Sequence, residues 1–464
     1  MPPDLVANIA NQHDDLIIKT CFQLIGLIGA GGFPEPLHKI PFSIVRRQLQ
    51  LPIRKGGLGL RNSCRTAPAA YWDSWVDCLP LLVDRLPDIA AIAVGTLVDS
   101  DVVEEVGYET QCHCISACNK AAKDLRKCGW RDIPSWGRIL AGERPPIPDV
   151  GEADLGEWQH GWQYHESNLP EQQEFHHLLG SIVPRRRSDA RCAHKSRIWS
   201  SVGRFSGNWL MAFPATVGLQ LSNQQFVCAV RRRFGLVVVA KSPKCEGCHS
   251  YVHGHEHHRL CCGRTGRTNW RHRGLINVWR QIFVEAGGSI PDRNVERMLR
   301  TTNVLVTRYD DRRLDLLVPG LRIFHGRPLF VDVTVVTPIS AKGQPRSGTS
   351  SRGGALLEDA TKKNNETYHE VVNSDLGMLL SLGWEVYGRW SGEVIDILPR
   401  LAFSKTEFLP SRTQRGVAML LLKRWAGMLG VALQSEVHNQ IQCGNGADLN
   451  TTLVERVCHF SDLC

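Results

Sequence analysis

The run Leu329–Val336, LFVDVTVV, constrains this chain more than any other stretch. β-Branched residues dominate it, Arg-Pro precedes it and Pro338 follows, so it reads as a buried strand rather than a helix. Strand alternation sets Asp332, Thr334 and Val336 on one face and Val331, Val333 and Val335 on the other. A carboxylate among valines is costly to bury unless something pairs with it, and a metal ion is an economical partner. Asp315 stands in a shorter apolar run upstream, and Lys362 and Lys363 lie in a helical stretch downstream, GGALLEDATKKNNETYHEVV. Two strand carboxylates and a lysine-bearing helix are the parts of metal-assisted phosphodiester cleavage. Hard oxygen ligands suit Mg2+ or Mn2+. Such an ion, with a lysine, lowers the cost of making hydroxide and stabilises charge on phosphate. A lone strand aspartate is more often an N-cap, an edge residue or half of an ion pair than a metal ligand, so the surrounding chain decides.

A second pattern lies upstream, in KCEGCHSYVHGHEHHRLCC. Cys245-x2-Cys248 forms the usual first half of a tetrahedral zinc site, and His258-x3-Cys262 can close it. His257 with Cys261 has the same spacing, and His253 and His255 crowd the loop. The alternative is a histidine-rich loop beside buried cysteines. Arg271-His272 follows, opening a helix with Leu275, Trp279, Ile282, Phe283 and Ala286 at core spacing.

At 464 residues the chain has room for two to four domains. Its net charge of +9 suits phosphate partners only weakly, since basic charge alone discriminates poorly. No signal-peptide pattern opens it, and the apolar patch at 21–30 is too short to span a membrane. Most of the 16 cysteines, such as Cys64, Cys78 and Cys228, stand singly in apolar runs and read as core. Helices are expected over 1–30 (with a glycine stop at 29–32), 44–51, 67–78 and across 81–150. A proline-rich hinge at 143–148 leads to a polar stretch with a basic run at 185–187. Ser222 and Gln225 make a capping box ahead of a helix carrying Phe226, Val230 and Arg231, Arg232 and Arg233.

These motifs resemble one family in order. Leu-Pro-Ile…Gly-Gly-Leu-Gly-Leu-Arg with an Ala-Ala-Tyr helix, residues 51–80, is similar to the thumb end of non-LTR retrotransposon reverse transcriptases. Residues 207–236 resemble the connector to a zinc knuckle, and that knuckle's Gly-His…Leu-x-Cys pattern selects His258 and Cys262. The stretch after it resembles the restriction-like endonuclease of site-specific elements, within the PD-(D/E)XK superfamily. The resemblance covers residues 35–80 and 205–435.

The resemblance implies a multidomain α and α/β chain. A helical thumb-like part would span 1–150, a polar linker 151–206, a helical connector 207–244 and a zinc knuckle 245–270. A mixed sheet flanked by helices would occupy 271–436, with a strand at 383–390 and a closing helix at 411–435, before a tail at 437–464. Zn2+ would sit on Cys245, Cys248, His258 and Cys262. Asp315, with Leu314 where proline is usual, and Asp332 would hold Mg2+ or Mn2+ with a carbonyl near Val333. Glu296 would be the early acid, and Lys363 or Lys362 would orient water. The family's lysine stands four residues before its tyrosine, and Tyr368 minus four is Asn364. Arg231, Arg232, Arg233, Arg271 and His272 would contact nucleic acid. The partners would be a DNA target and the element's RNA, with no membrane, and the location nuclear. Neither Asp14-Asp15 nor Asp310-Asp311 has the apolar flanks of a polymerase hairpin, so no polymerisation is expected. The runner-up reading is a non-catalytic nucleic-acid-binding remnant.

Overall fold

A computed structural model describes residues 1–26, 41–97, 112–145, 161–183, 190–238, 244–252, 257–290 and 296–442. The expected glycine stop at 29–32, the basic run at 185–187, His253, His255 and the tail beyond 442 lie outside these residues. The chain divides into two units. One comprises Met1–Pro34, Phe42–Pro52 and Gly57–Ser181; the other comprises Glu35–Pro41, Ile53–Gly56 and Ile182–Cys464. The architecture is mixed, α and α/β.

The first unit is helical: α1 (Pro3–Leu24), α2 (Phe42–Leu49), α3 (Ser63–Arg85), α4 (Pro87–Thr96), α5 (His113–Lys127), α6 (Trp136–Leu140) and α7 (Trp162–Ser181). Helix α3 is its axis, packed by α1, α4, α5 and α7. Its start is capped twice. Asn62 accepts from the Arg65 amide, and buried Asp14 accepts from the Ser63 amide and hydroxyl, each at 2.7 Å. Asp14 is thus a structural acid. Trp72 gathers Trp130, Trp136 and Trp162 at centroid distances of 5.0, 5.4 and 6.0 Å, forming the core.

Within the span expected as a polar linker, residues 162–181 and 190–200 are helical. Helix α7 buries Trp162, Phe175, Leu178 and Leu179, but on the same face it also buries Glu166 and Glu171. Those two acids disguise the apolar stripe in the sequence. Glu171 pairs with Arg65 at 2.9 Å.

The second unit opens with α8 (Ala190–Ser200), also within the expected linker, then α9 (Asn208–Met211), α10 (Asn223–Arg233), α11 (His257–Cys261) and α12 (Arg267–Glu285). A short pair, β1 (Arg297–Met298) and β2 (Arg313–Leu314), precedes a three-stranded sheet of order β3-β4-β5. Strands β3 (Leu316–Val318) and β4 (Leu329–Val336) are antiparallel; β5 (Met378–Glu385) lies parallel to β4. The parallel crossover runs through α13 (Ala355–Thr367) and α14 (His369–Val372), and α12, α13 and α15 (Gly392–Lys405) pack on the sheet.

The strand expected at 383–390 starts five residues earlier. Its eight rungs are set by pairing with β4, Leu329 opposite Met378 through Val336 opposite Glu385. The chain then turns back through Gly388, whose φ is +116°, so that the Glu385 amide reaches the Arg389 carbonyl. Helix α16 (Ser411–Gln442) is long and apolar enough to cross a membrane, yet 56% of its apolar window is buried inside the protein. It is the core helix of this unit, packed by α9, α10, α12 and α15.

Candidate metal centre and carboxylate site

Cys245, Cys248, His258 and Cys262 converge, their ligand atoms all within 4.8 Å of one another. Among the described residues no other group of three or more Cys, His, Asp or Glu closes to that extent. The Cys245 and Cys262 sulfurs are 3.7 Å apart, and Cys248 Sγ lies 3.0 Å from His258 Nε2. A tetrahedral ion with zinc–sulfur bonds of about 2.3 Å sets its sulfurs about 3.8 Å apart. The group could therefore hold zinc.

Local sequence builds it. The Cys245 amide donates to the Ser250 carbonyl, and the His249 amide returns to the Cys245 carbonyl, with His249 at φ +57°. A Cβ on Gly247 would stand 2.8 Å from the main chain of Arg264 and Thr265, so the position just before Cys248 must be glycine. The Ser250 hydroxyl and main chain pull the Cys248 thiol down to about 6, toward the thiolate that a metal needs. Helix α11 resolves the histidine ambiguity. His258 faces the sulfurs, whereas buried His257 meets the Tyr387 hydroxyl at 3.3 Å and Cys261 donates to the Ile339 carbonyl.

The carboxylates meet on the sheet. Asp315 interrupts the chain between β2 and β3, and this break turns its side chain across β4. Its Oδ2 accepts from the Val333 amide at 2.7 Å and lies 3.1 Å from His272 Nε2. The same Nε2 is 2.7 Å from the Val333 carbonyl. Both neighbours are acceptors, so Nε2 carries the hydrogen. Burial would lower the His272 pKa, but Asp315, the Val333 carbonyl and Asp332 outweigh it and hold the imidazole above its usual value. On the Thr334 face of β4, Asp332 Oδ2 accepts from Thr334 Oγ1 at 3.0 Å and from Asn364 Nδ2 at 2.6 Å. Burial, with Asp315 nearby, pushes its carboxyl up to about 6. Tyr368 closes the site: its buried hydroxyl donates to the Arg313 carbonyl at 2.6 Å, and its pKa is raised by burial and by both aspartates.

Other expected residues stand elsewhere. Lys362 and Lys363 are exposed, and neither forms a hydrogen bond or ion pair from its side chain to a described residue. Lys362 lines an open cleft with Glu358 and Glu366 on another side of α13. Glu296 falls one step past the β1–β2 pairing, in register with Asp315, but its carboxylate turns to Arg313 at 3.7 Å.

Three arginines expected to grip nucleic acid are interior. Arg232 donates to Gln434 and to the Val386 carbonyl, Arg233 to the Ile53 carbonyl, and Arg271 to Gln440 and the Val335 carbonyl. Their exposures are 1%, 2% and 4%. Each guanidinium satisfies main-chain or amide oxygens that water cannot reach, so none is open to a phosphate. Arg231 is half-buried and donates to the Val237 carbonyl at 3.4 Å.

Spacing alone did not mark Thr334 and Asn364 as partners of Asp332. Asn364 could have been found from its place four residues before Tyr368, because helical periodicity aims i and i+4 at one face. No protein-family model matches this chain, and no curated protein matches it significantly.

Proposed function

We propose that the second unit is a restriction-endonuclease-like domain derived from a retroelement, acting on DNA phosphodiesters through a divalent cation at Asp315 and Asp332. The observation that carries this reading is the meeting of two carboxylates, Asp315 from the break between β2 and β3 and Asp332 from β4, with the Val333 main chain and the α13 face. Asp332 and Asp315 repel each other in a partly buried place, and their oxygens suit Mg2+ or Mn2+. Bound there, such an ion would supply a polarised water and charge for the phosphate. Asp315, Asp332 and the Val333 carbonyl would hold it, with His272 giving up its hydrogen bond to that carbonyl. Tyr368 walls the site. The zinc group would fold the knuckle, and the DNA target, the element RNA and a nuclear location belong to the same reading.

A second reading is favoured by Asn364: a DNA-binding domain that does not cut. The amide takes the place beside Asp332 that the resemblance gives to lysine, and it cannot orient water as a cation does. Nicking of supercoiled plasmid with Mg2+ or Mn2+ separates the two. Open-circle product from the wild type but not from Asp332→Ala supports the nuclease. No product from a folded, zinc-loaded wild type leaves the binding domain.

A further inference from the structure

Burial of Arg271 leaves the opposite side of α12 facing out. Trp270, Arg273, Asn277 and Arg280 recur at intervals of three, four and three, which is one helical stripe. Trp270 is 47% exposed, and Arg273 and Asn277 are exposed too. Arg264, in the turn just before α12, is also exposed. The side chains of Arg264 and Arg273 form no hydrogen bond or ion pair to a described residue. The first turn of α12 carries no acidic residue that would balance this charge. Arg273 lies about 100° around the helix from His272, the residue that touches Asp315.

We infer that this stripe seats one unpaired nucleic-acid strand, with a base stacked on the Trp270 indole and phosphates on Arg264 and Arg273. Arginines without partners complement phosphate. A half-exposed indole between them offers a π-face that any base can use, and a duplex keeps its bases from that face. The strand would leave the stripe at His272, and so reach the Asp315 and Asp332 site as a single strand. The inference rests on the nucleic-acid reading of this unit and not on cleavage.

The test is fluorescence anisotropy on the full zinc-loaded chain without added magnesium, using labelled oligo(dT) and a duplex of equal length across a salt series. We expect the single strand to bind more tightly. Trp270→Ala should weaken it on the order of tenfold with the salt slope unchanged, and Trp270→Phe should retain most of the affinity. Arg273→Ala should reduce the slope by about 0.7. Equal binding by Trp270→Ala and wild type, equal loss in the Phe and Ala variants, or no binding of the strand would overturn the seat. A Trp270-dependent affinity in a protein that does not nick leaves this inference standing and removes the nuclease. Nicking without Trp270 dependence does the reverse.

Discussion

Asn364 Nδ2 donates to Asp332 Oδ2 at 2.6 Å from the α13 position four residues before Tyr368. Tyr368 closes the same site, so the two side chains mark the one helix face that looks at the carboxylates. The lysines at 363 and 362 miss that face by one and two positions, a rotation of about 100° per residue. Position 364, and not its neighbours, controls what stands beside Asp332.

Asn364→Lys should therefore raise plasmid nicking by about tenfold or more, since a positioned cation beside developing charge is worth several kcal/mol. Lys363→Ala and Lys362→Ala should leave nicking unchanged. A loss of nicking in either alanine variant, with no gain from Asn364→Lys, would move the catalytic lysine back to those positions.

Arg271 and Arg273 differ by two positions and should differ in kind. Arg271→Met removes a guanidinium that holds Gln440 and the Val335 carbonyl, and should cost about 3 kcal/mol of stability. Arg273→Ala should leave thermal unfolding within about 0.5 kcal/mol of wild type. Equal melting temperatures for the two variants would contradict the buried assignment of Arg271.

Part of the sheet and the Cys/His group were legible because each depends on short-range pattern. The valine-rich run marked β4, and Cys-x2-Cys marked one half of the metal group, while two equally spaced His-x3-Cys pairs left its other half open until the resemblance chose between them. What stayed hidden depends on distant partners. Arg232 and Arg271 read as surface because arginine usually is; their acceptors, Gln434 and Gln440, come from a helix some 170 to 200 residues later. Helix α7 read as linker because Glu166 and Glu171 sit inside it, and of the two only Glu171 finds a partner on α3, Arg65. Asp315 gave no hint that its partner would be the Val333 amide, because that contact needs the break between β2 and β3.

The knuckle should release its metal when its glycine is filled. Gly247→Ala places a Cβ against the main chain of Arg264 and Thr265, a clash costing about 1–3 kcal/mol. Zinc release to a chromophoric chelator should be at least about tenfold faster than from wild type, and Cys248→Ser should fail to retain zinc. Retention of zinc by Cys262→Ser with loss in Cys261→Ser would assign the other cysteine.

Glu166 gives the first unit a pH dependence that runs to higher pH than the one raised Asp332 gives the carboxylate site. It is fully buried on α7, neither carboxylate oxygen has a hydrogen-bond partner, and burial, helped by Asp73, pushes its pKa to about 10. The unfolded chain ionises near 4.5, so the fold keeps a proton that the unfolded state has lost. The raised folded value means that stability is fully present below about 4.5 and falls steadily as pH climbs toward 10. At pH 7 the penalty is on the order of 3 kcal/mol. Glu166→Gln carries the same hydrogen-bonding load without the proton, so it should match wild type near pH 4.5 and exceed it increasingly above. Thermal unfolding of both proteins at pH 4.5 and pH 8 reads this directly. A constant difference across the two would mean that Glu166 is ionised in the fold, held by a partner that the Trp72 and Trp162 core does not provide.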